Sequence, residues 1–260
     1  MSAVPTPPFF GHRIPPVEPT ADRYELGFAR SESELDAVFA LRYAVFNLEL
    51  DEGLAASHDT GRDTDLFDPF CHHLVVRDKA TGEIVGTYRM QTADMARAGR
   101  GFYSATEFDL SGFPPQVLED SLEIGRACIA SEHRNLKVLY LLWQGLGRYV
   151  SYNRLGYLFG CCSLTSQDPH EATRVYDRLR REGHLDPAYC IAPLESHRCL
   201  VTDPEPGGDH IPRLMRAYLS LGARIASSPA IDRSFGTIDY LALFNLSAME
   251  PARLAFFRCA

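Results

Sequence analysis

Residues 121–155 read SLEIGRACIASEHRNLKVLYLLWQGLGRYVSYNRL, and this stretch decides the fold. Its first ten residues are mostly apolar and predict a strand, whereas residues 138–155 have the length and apolar spacing of a helix. A basic turn, residues 133–137, joins the two. A strand that leads through a short turn into a long helix is typical of a domain in which helices cover a sheet.

Charged residues interrupt several stretches that otherwise read as buried: Arg42, Arg89, Glu123, Arg126 and, just before a strand, Asp65 and Asp68. A buried charge is costly unless it is paired. Several such residues in the first half of one chain indicate a polar site built into the core.

The rest of the chain extends this unit in both directions. Strands are predicted over 24–28, 73–77, 83–90, 157–164, 224–226 and 237–246, and helices from Ser31, over 169–181 and over 211–221. Ser31 and Glu34 have the spacing of a capping box. The order of elements predicts an α/β (α+β) domain with a mixed sheet and helices on both of its faces.

The 260 residues, 45% of them apolar, suffice for one large domain. Residues 1–20 carry six prolines and predict a flexible arm, so the domain spans 21–260. The proline-containing segment 183–210 reads as an insertion.

Composition excludes several classes of protein. The formal net charge of −8 argues against a general nucleic-acid binder. Seven cysteines without a CxxC pair indicate reduced thiols and a cytoplasmic protein. The start of the chain lacks the pattern of a signal peptide, and no apolar run is long enough to span a membrane. HExxH is absent, so no metal is assigned.

Two features of the 121–155 unit suggest chemistry. Gly125 lies between Glu123 and Arg126, and glycine within a strand often marks a bulge, which would turn both side chains towards one cleft and free a backbone amide for an oxyanion. The helix that follows has a basic N-terminal turn, which favours a phosphate. Basic residues on a solvated turn are the alternative. The turn contains no glycine, so a single phosphate fits better than a diphosphate.

The pattern resembles the GCN5-related N-acyltransferase (GNAT) fold, and within it the branch of bacterial ornithine-lipid acyltransferases, often labelled hemolysin-like, which is related to acyl-homoserine-lactone and N-acyl amino acid synthases. The resemblance runs from about residue 24 to 246, on segments 41–46, 65–68, 71–76, 82–89, 123–126, 214–223 and 229–240. It implies a mostly antiparallel sheet and an N-acyltransferase.

The resemblance places seven residues around the active cleft, and the basic turn adds candidates for carrier binding. The seven are Arg42, Phe46, Asp65, Asp68, Arg89, Glu123 and Arg126. Those assigned to catalysis are Glu123, Arg126 and Asp68; those assigned to substrate binding are Arg42, Phe46, Asp65, His73 and Arg89; those assigned to the carrier are His133, Arg134 and Lys137. The implied donor is an acyl-phosphopantetheine on acyl carrier protein, used as a co-substrate, with no permanently bound cofactor. The glycine-poor turn departs from members that use acetyl-CoA.

The implied reaction moves a long (3-hydroxy)acyl chain to the α-amine of an amino acid, L-ornithine in the first interpretation, which gives lyso-ornithine lipid. Glu123 is the candidate base, with a structural salt bridge to Arg42 or Arg126 as its alternative. Asp65 and Asp68 are candidates to hold a cationic acceptor.

Three alternatives to the first interpretation are a synthase that acylates glycine or another amino acid, a signal synthase, and a non-enzymatic lipid-binding or hemolytic protein. The last lacks a long basic amphipathic helix. A lipid-like product suggests peripheral contact with the inner membrane.

Overall fold

The computed structural model of the protein describes residues 10–16, 20–21 and 23–250. The described strands are β1 Thr20–Ala21, β2 Tyr24–Phe28, β3 His72–Asp78, β4 Ile84–Thr92, β5 Ser121–Ile129, β6 Tyr157–Leu164, β7 Arg224–Ile225, β8 Ala230–Asp232 and β9 Thr237–Asn245. The α-helices are α1 Glu32–Tyr43, α2 Ser57–Thr60, α3 Ala93–Ala98, α4 Pro115–Glu119, α5 Leu136–Asn153, α6 Pro169–Arg181 and α7 Arg213–Leu221. A π-helical turn, Ala44–Glu49, continues α1.

The nine strands form one sheet in the order β1-β2-β3-β4-β5-β6-β9-β7, and β8 also pairs with β9. Every pair is antiparallel except β5 with β6, which is parallel. The mixed, mostly antiparallel sheet that the sequence predicts is therefore confirmed.

Helices cover both faces of the sheet, as predicted. The helices α5, α6 and α7 contribute to one core, against alternate residues of the strands such as Leu74, Leu122 and Tyr240. On the other face, α1 packs with Val75 and Cys128. The segment that contains α3 and α4 forms a third core on Phe159. Because successive residues of a strand point to opposite faces of the sheet, the strands supply side chains to two walls of the site described below, one wall on each face.

The sheet divides between β5 and β6. Their parallel pairing covers three residue pairs and ends at Glu123 and Phe159. Beyond that point β5 stays paired with β4, whereas β6 pairs with β9 along its whole length. A cavity of about 740 Å³, called the cleft below, opens where the two strands part.

Gly160 lies where β5 and β6 part, and its missing side chain permits their approach. A Cβ atom at this position would lie 2.0 Å from the carbonyl oxygen of Ile124, which is a backbone atom and cannot rotate away. The strands β5 and β6 can approach each other this closely, at the point where the cleft begins, because residue 160 is a glycine.

Gly160→Ala is expected to lower the free energy of unfolding by about 3 kcal/mol, since the added methyl group must push two backbones apart. Chemical denaturation would measure the loss. Gly125→Ala is the matched control, because a Cβ on that neighbouring strand residue meets no atom within 4 Å. Equal stability of the two variants would contradict the role given to Gly160.

The observed bounds agree closely with the predicted ones at 157–164 and 169–181, and Ser31 and Glu34 form the predicted capping box. The described part of the N-terminal arm lies against the domain: Ile14 is buried, and the Arg13 guanidinium pairs with Asp94. Residues 1–9, 17–19 and 22 of the arm and domain start, and residues 251–260, lie outside the described part.

The predicted insertion, residues 183–210, contains one short 3₁₀ turn, Glu195–His197. Isolated bridges attach it to the strand region, as between Ile191 and Ser227. None of its residues, all of which are described, lines the cleft. Among the helices of the described residues, none has the length and apolar character needed to cross a membrane.

Candidate active site

The middle of β5 directs Glu123 and Arg126 into the same cleft. A bulge makes this possible, because Tyr88 of β4 faces two residues of β5, Arg126 and Ala127. Gly125 itself keeps a regular pairing with Arg89, so the bulge lies one residue later than Gly125. Arg126 takes the positive φ of 47°, which is uncommon outside glycine.

Glu123 is a buried carboxylate held by backbone amides. Its Oε2 accepts a hydrogen bond from the Tyr103 amide at 2.8 Å, and its Oε1 accepts one from the Ser104 amide at 2.7 Å. Burial raises the pKa of Glu123 above its ordinary value, although these amide hydrogen bonds oppose the shift. A carboxylate with a raised pKa that faces a cleft is suited to accept a proton.

The alternative interpretation of Glu123, a salt bridge with Arg42 or Arg126, is not what the structure contains. The guanidinium of Arg42 is fully buried and donates from Nε to Asp63 at 2.7 Å and from Nη1 to Asp68 at 2.7 Å. His73 lies beside this pair, with Nε2 3.4 Å from the backbone oxygen of Asp68. Burial lowers the pKa of His73 to about 4, so the imidazole is neutral near pH 7.

Two further arginines share these aspartates. Arg89 Nη1 lies 2.6 Å from Asp65 and 3.1 Å from Asp68. Arg126 lies 3.2 Å from Asp65 and 3.4 Å from Asp63. Burial alone would raise the pKa of Asp65, but Arg89 and Arg126 outweigh it and hold that pKa below its ordinary value. Three guanidinium groups and three carboxylates thus compensate one another beneath the cleft.

The structure separates the predicted site residues into two groups. Those that line the cleft are Phe46, Arg89, Glu123, Arg126 and Arg134. Those that lie outside its lining are Arg42, Asp65, Asp68, His73, His133 and Lys137. Asp65 and Asp68 face arginines, so they are placed to hold Arg89 and Arg126 and not to contact an acceptor directly.

The two walls of the cleft differ in chemistry. Gln91, Glu123 and Phe159 are cross-strand neighbours on the polar wall. The opposite wall is apolar and is built mainly from β4, β9, α5 and α7, with lining residues Tyr88, Leu139, Leu142, Ala217, Tyr218 and Phe244. A polar acceptor and an apolar chain can therefore approach Glu123 from opposite faces of the sheet.

The predicted carrier-binding turn lies at the mouth of the cleft. Arg134 pairs with Glu49, and Tyr24 is hydrogen-bonded to His133 at 3.1 Å. The N-terminus of α5 is partly capped, because the Asn135 side chain accepts hydrogen bonds from the amides of residues 137 and 138. The free amides expected for a phosphate are thus fewer than predicted.

Sequence reasoning missed four acids of this site. Asp63, fully buried between two arginines, lies in an acidic loop where nothing distinguishes it from its neighbours. Asp239 interrupts the apolar strand β9, the same signal that identified Glu123, and it lines the cleft. Glu52 also lines the cleft, and Glu107 lies next to Asp239.

Comparison with known proteins identifies relatives of this chain. Residues 41–144 match the model of the acetyltransferase (GNAT) domain family. The chain is 31% identical over 248 residues to the L-ornithine N(alpha)-acyltransferase of Agrobacterium fabrum (strain C58), with 90% of this chain and 84% of that protein covered. It is 31% identical over 250 residues to the enzyme of the same name from Rhizobium meliloti (strain 1021), covering 90% and 83%.

Among solved structures, an N-acyl amino acid synthase from uncultured soil microbes, FeeM, is similar with a TM-score of 0.48 and 10% identity, covering 87% of this chain and 92% of that one.

Proposed function

Because the chain belongs to the family of L-ornithine N(alpha)-acyltransferases and is an acyltransferase, we propose that it transfers an acyl group from a thioester to the α-amine of L-ornithine. The product is Nα-acyl-ornithine, or lyso-ornithine lipid when the chain is a long 3-hydroxyacyl group. The observation that carries this proposal is the position of Glu123, a buried carboxylate where the sheet parts, between a polar and an apolar wall.

The reaction follows from that position. The neutral α-amine attacks the thioester carbonyl, and a carbon–nitrogen bond forms while the carbonyl oxygen becomes an oxyanion. Glu123 accepts a proton from the amine, directly or through one water. When the oxyanion collapses, the carbon–sulfur bond breaks, and the leaving sulfur takes the proton from Glu123, directly or through water, so that a thiol leaves and the carboxylate is regenerated. We assign stabilisation of the oxyanion to a backbone amide at the bulge after Gly125, where the register of β4 and β5 shifts.

Arg89 and Arg126 are the predicted arginines that line the cleft beside Glu123. A guanidinium can hold a carboxylate through two parallel hydrogen bonds, so we assign these two arginines to the carboxylate of the acceptor. The Arg126 side chain is held in place by Asp63 and Asp65 and by the ring of Phe235, whose centroid lies 4.4 Å from its guanidinium carbon. Catalysis on this scheme is mostly positioning and electrostatics.

For the donor, we propose the phosphopantetheine arm of acyl carrier protein. The turn before α5 contains no glycine, and the arm carries a single phosphodiester, which Arg134 and Lys137 at the mouth could contact. Leu136 is 83% exposed, and Leu50 and Leu214 at the same mouth are more than a third exposed. These apolar side chains support peripheral contact with a membrane, to which a lipid-like product would pass.

A mass-spectrometric screen tests the proposal. The purified protein is incubated with a mixture of the common amino acids and ornithine. The same 3-hydroxyacyl group is supplied as the donor in two separate assays, once on acyl carrier protein and once on coenzyme A. We expect one product, N-acyl-ornithine, formed at least about 10-fold faster from the carrier protein. If a different amino acid is acylated, that amino acid and not ornithine is the acceptor. If the reaction is faster from coenzyme A, the proposed carrier-protein donor is wrong. No product from a folded protein would contradict the proposal as a whole.

A further inference from the structure

The polar wall of the cleft carries carboxyl groups that the proposed reaction does not use. Asp239 of β9 and Glu52, which follows the π-helical turn, both line the cleft, and they are 3% and 9% exposed. Glu107 is 2% exposed and lies behind Asp239, with Cys161 between them, so that one side-chain atom of each lies within 4.8 Å of the others. The residue pairing of β6 with β9 places Asp239 on the same face of the sheet as Phe159 and hence Glu123.

Several polar atoms of this wall lack a hydrogen-bond partner among the described residues. They are Oδ1 of Asp239, Oε2 of Glu107 and both side-chain amide atoms of Gln91. Gln91 is 2% exposed, lines the same cleft and pairs across the strands with Glu123. Buried polar atoms are nearly always satisfied in folded proteins, so a group of unsatisfied atoms on one wall indicates a polar ligand.

Among the residues that the structure describes, none forms an ion pair with Asp239, Glu107 or Glu52. Burial, and then the charges of Asp239 and Asp232, raise the pKa of Glu107 well above its ordinary value. Burial likewise raises the pKa of Asp239, and burial with the nearby Asp239 raises that of Glu52. The charge of Arg126 opposes the shift of Glu107, but the ion pairs of Arg126 are to Asp63 and Asp65. A bound cation would offset this repulsion.

We infer that Asp239 and Glu107, with Glu52 at their edge, bind the side-chain ammonium group of a cationic amino-acid acceptor and so select it over neutral amino acids. This inference rests on the proposed function. It supplies what Asp65 and Asp68 were expected to supply from the sequence, since those two residues are occupied by arginines.

Continuous contacts connect the carboxyl groups with the candidate base. The Ser104 amide donates to Glu123, and the Ser104 hydroxyl lies 3.5 Å from the sulfur of Cys161. That sulfur lies 3.9 Å from Glu107. The Glu107 side of the ammonium site is therefore linked to the proton acceptor through Ser104 and Cys161.

A metal ion fits this cluster less well than an ammonium group. Zinc would need the Cys161 thiolate, and burial and the adjacent Glu107, which raise the pKa of Cys161 well above its ordinary value, add to the cost of forming that thiolate. Magnesium and calcium prefer a set of oxygen ligands without sulfur. An ammonium group needs only hydrogen-bond acceptors, which Oδ1 of Asp239 provides and which Oε2 of Glu107 provides once the bound cation offsets the raised pKa of Glu107 and its carboxyl group loses its proton.

The test compares ornithine with norvaline, which has the same carbon chain without the terminal amine. The ratio of kcat/KM for the two acceptors is measured in the wild-type protein and in Asp239→Asn, Glu107→Gln and the control Asp203→Asn, an exposed residue. We expect the first two substitutions to lower the ratio by about 10- to 100-fold, chiefly through ornithine. The control should leave the ratio unchanged.

The outcomes separate the inference from the function on which it rests. A wild-type preference for ornithine that survives in both acid variants would overturn the ammonium site and leave the proposed function intact. A wild-type protein that acylates no ornithine would overturn both. Thermal unfolding without acyl donor gives a second measurement: ornithine should raise Tm of the wild type but not of Asp239→Asn, and norvaline should raise neither. A Tm increase with Zn²⁺ or Mg²⁺ that Asp239→Asn abolishes would assign the cluster to a metal instead.

Discussion

Glu123→Gln is expected to lower kcat for ornithine acylation by about 10²–10⁴-fold, the range for loss of a positioned general base. The substitution keeps the size of the side chain but removes the group that accepts the amine proton. Because Glu123 is buried and hydrogen-bonded to the amides of Tyr103 and Ser104, the change should leave the acceptor bound and affect KM much less than kcat.

The pH dependence gives a sharper measurement than the rate alone. Burial raises the pKa of Glu123, and only its deprotonated form accepts a proton, so kcat of the wild type should fall as the pH decreases through that raised pKa. The variant should lack this acid limb. Glu123→Asp, which keeps a titrating carboxylate, should recover part of the rate together with the limb.

Loss of structure must be separated from loss of the base, since a glutamine can accept from only one of the two amides through its oxygen. Thermal unfolding of the variant and the Tm increase produced by ornithine serve as controls. A variant with kcat within about fivefold of the wild type and an unchanged acid limb would show that Glu123 positions the 3₁₀ turn Tyr103–Thr106 and takes no proton.

The sheet, the long helices and three charges of the cleft could be predicted because their signals are local. The spacing of apolar residues and the length of each segment fix elements such as β6 and α6, and a charge in an apolar run identifies Arg89, Glu123 and Arg126. The strands β1 and β8 have two and three residues, too few to show a period, and they were missed. Asp239 gave the same signal as Glu123, but its strand was interpreted only as the closing element of the sheet.

Pairing partners could not be predicted, because they depend on which distant segments the fold brings together. Glu123 was expected either to be free or to pair with an arginine. Its actual partners, the amides of Tyr103 and Ser104, lie in a turn about 20 residues away whose position follows from the packing of α3 and the residues after it. The bulge was predicted at Gly125 because glycine within a strand often marks one. The register of β4 and β5 places it at Arg126 instead, where ion pairs hold the side chain of a residue with a positive φ.

Asp68→Asn is expected to destabilise the folded protein by about 3–5 kcal/mol, the usual cost of leaving one partner of a buried ion pair without compensation. Asp68 accepts from Arg42, which is fully buried, and from Arg89, and the substitution leaves one excess positive charge among the three arginines. For a chain of this size Tm should fall by about 10 °C. Chemical denaturation would measure the free energy of unfolding.

Asp36→Asn is the matched control, since Asp36 also pairs with an arginine, Arg62, but on the surface, with 59% of the Asp36 side chain exposed. Exposed pairs contribute about 0–1 kcal/mol, so this variant should unfold almost as the wild type does. Equal stability of the two variants would mean that water solvates the charges around Arg42. That result would refute the buried, compensated network beneath the cleft.

The double variant Arg42→Met with Asp68→Asn then separates charge from packing. Removal of both partners leaves no excess buried charge, and replacement of a buried ion pair by apolar groups is often neutral. The double variant should therefore be more stable than Asp68→Asn alone. Its activity should nevertheless stay low, because Asp68 also holds Arg89 at the cleft, and an arginine that has lost a carboxylate partner no longer presents its guanidinium in a fixed position to the acceptor.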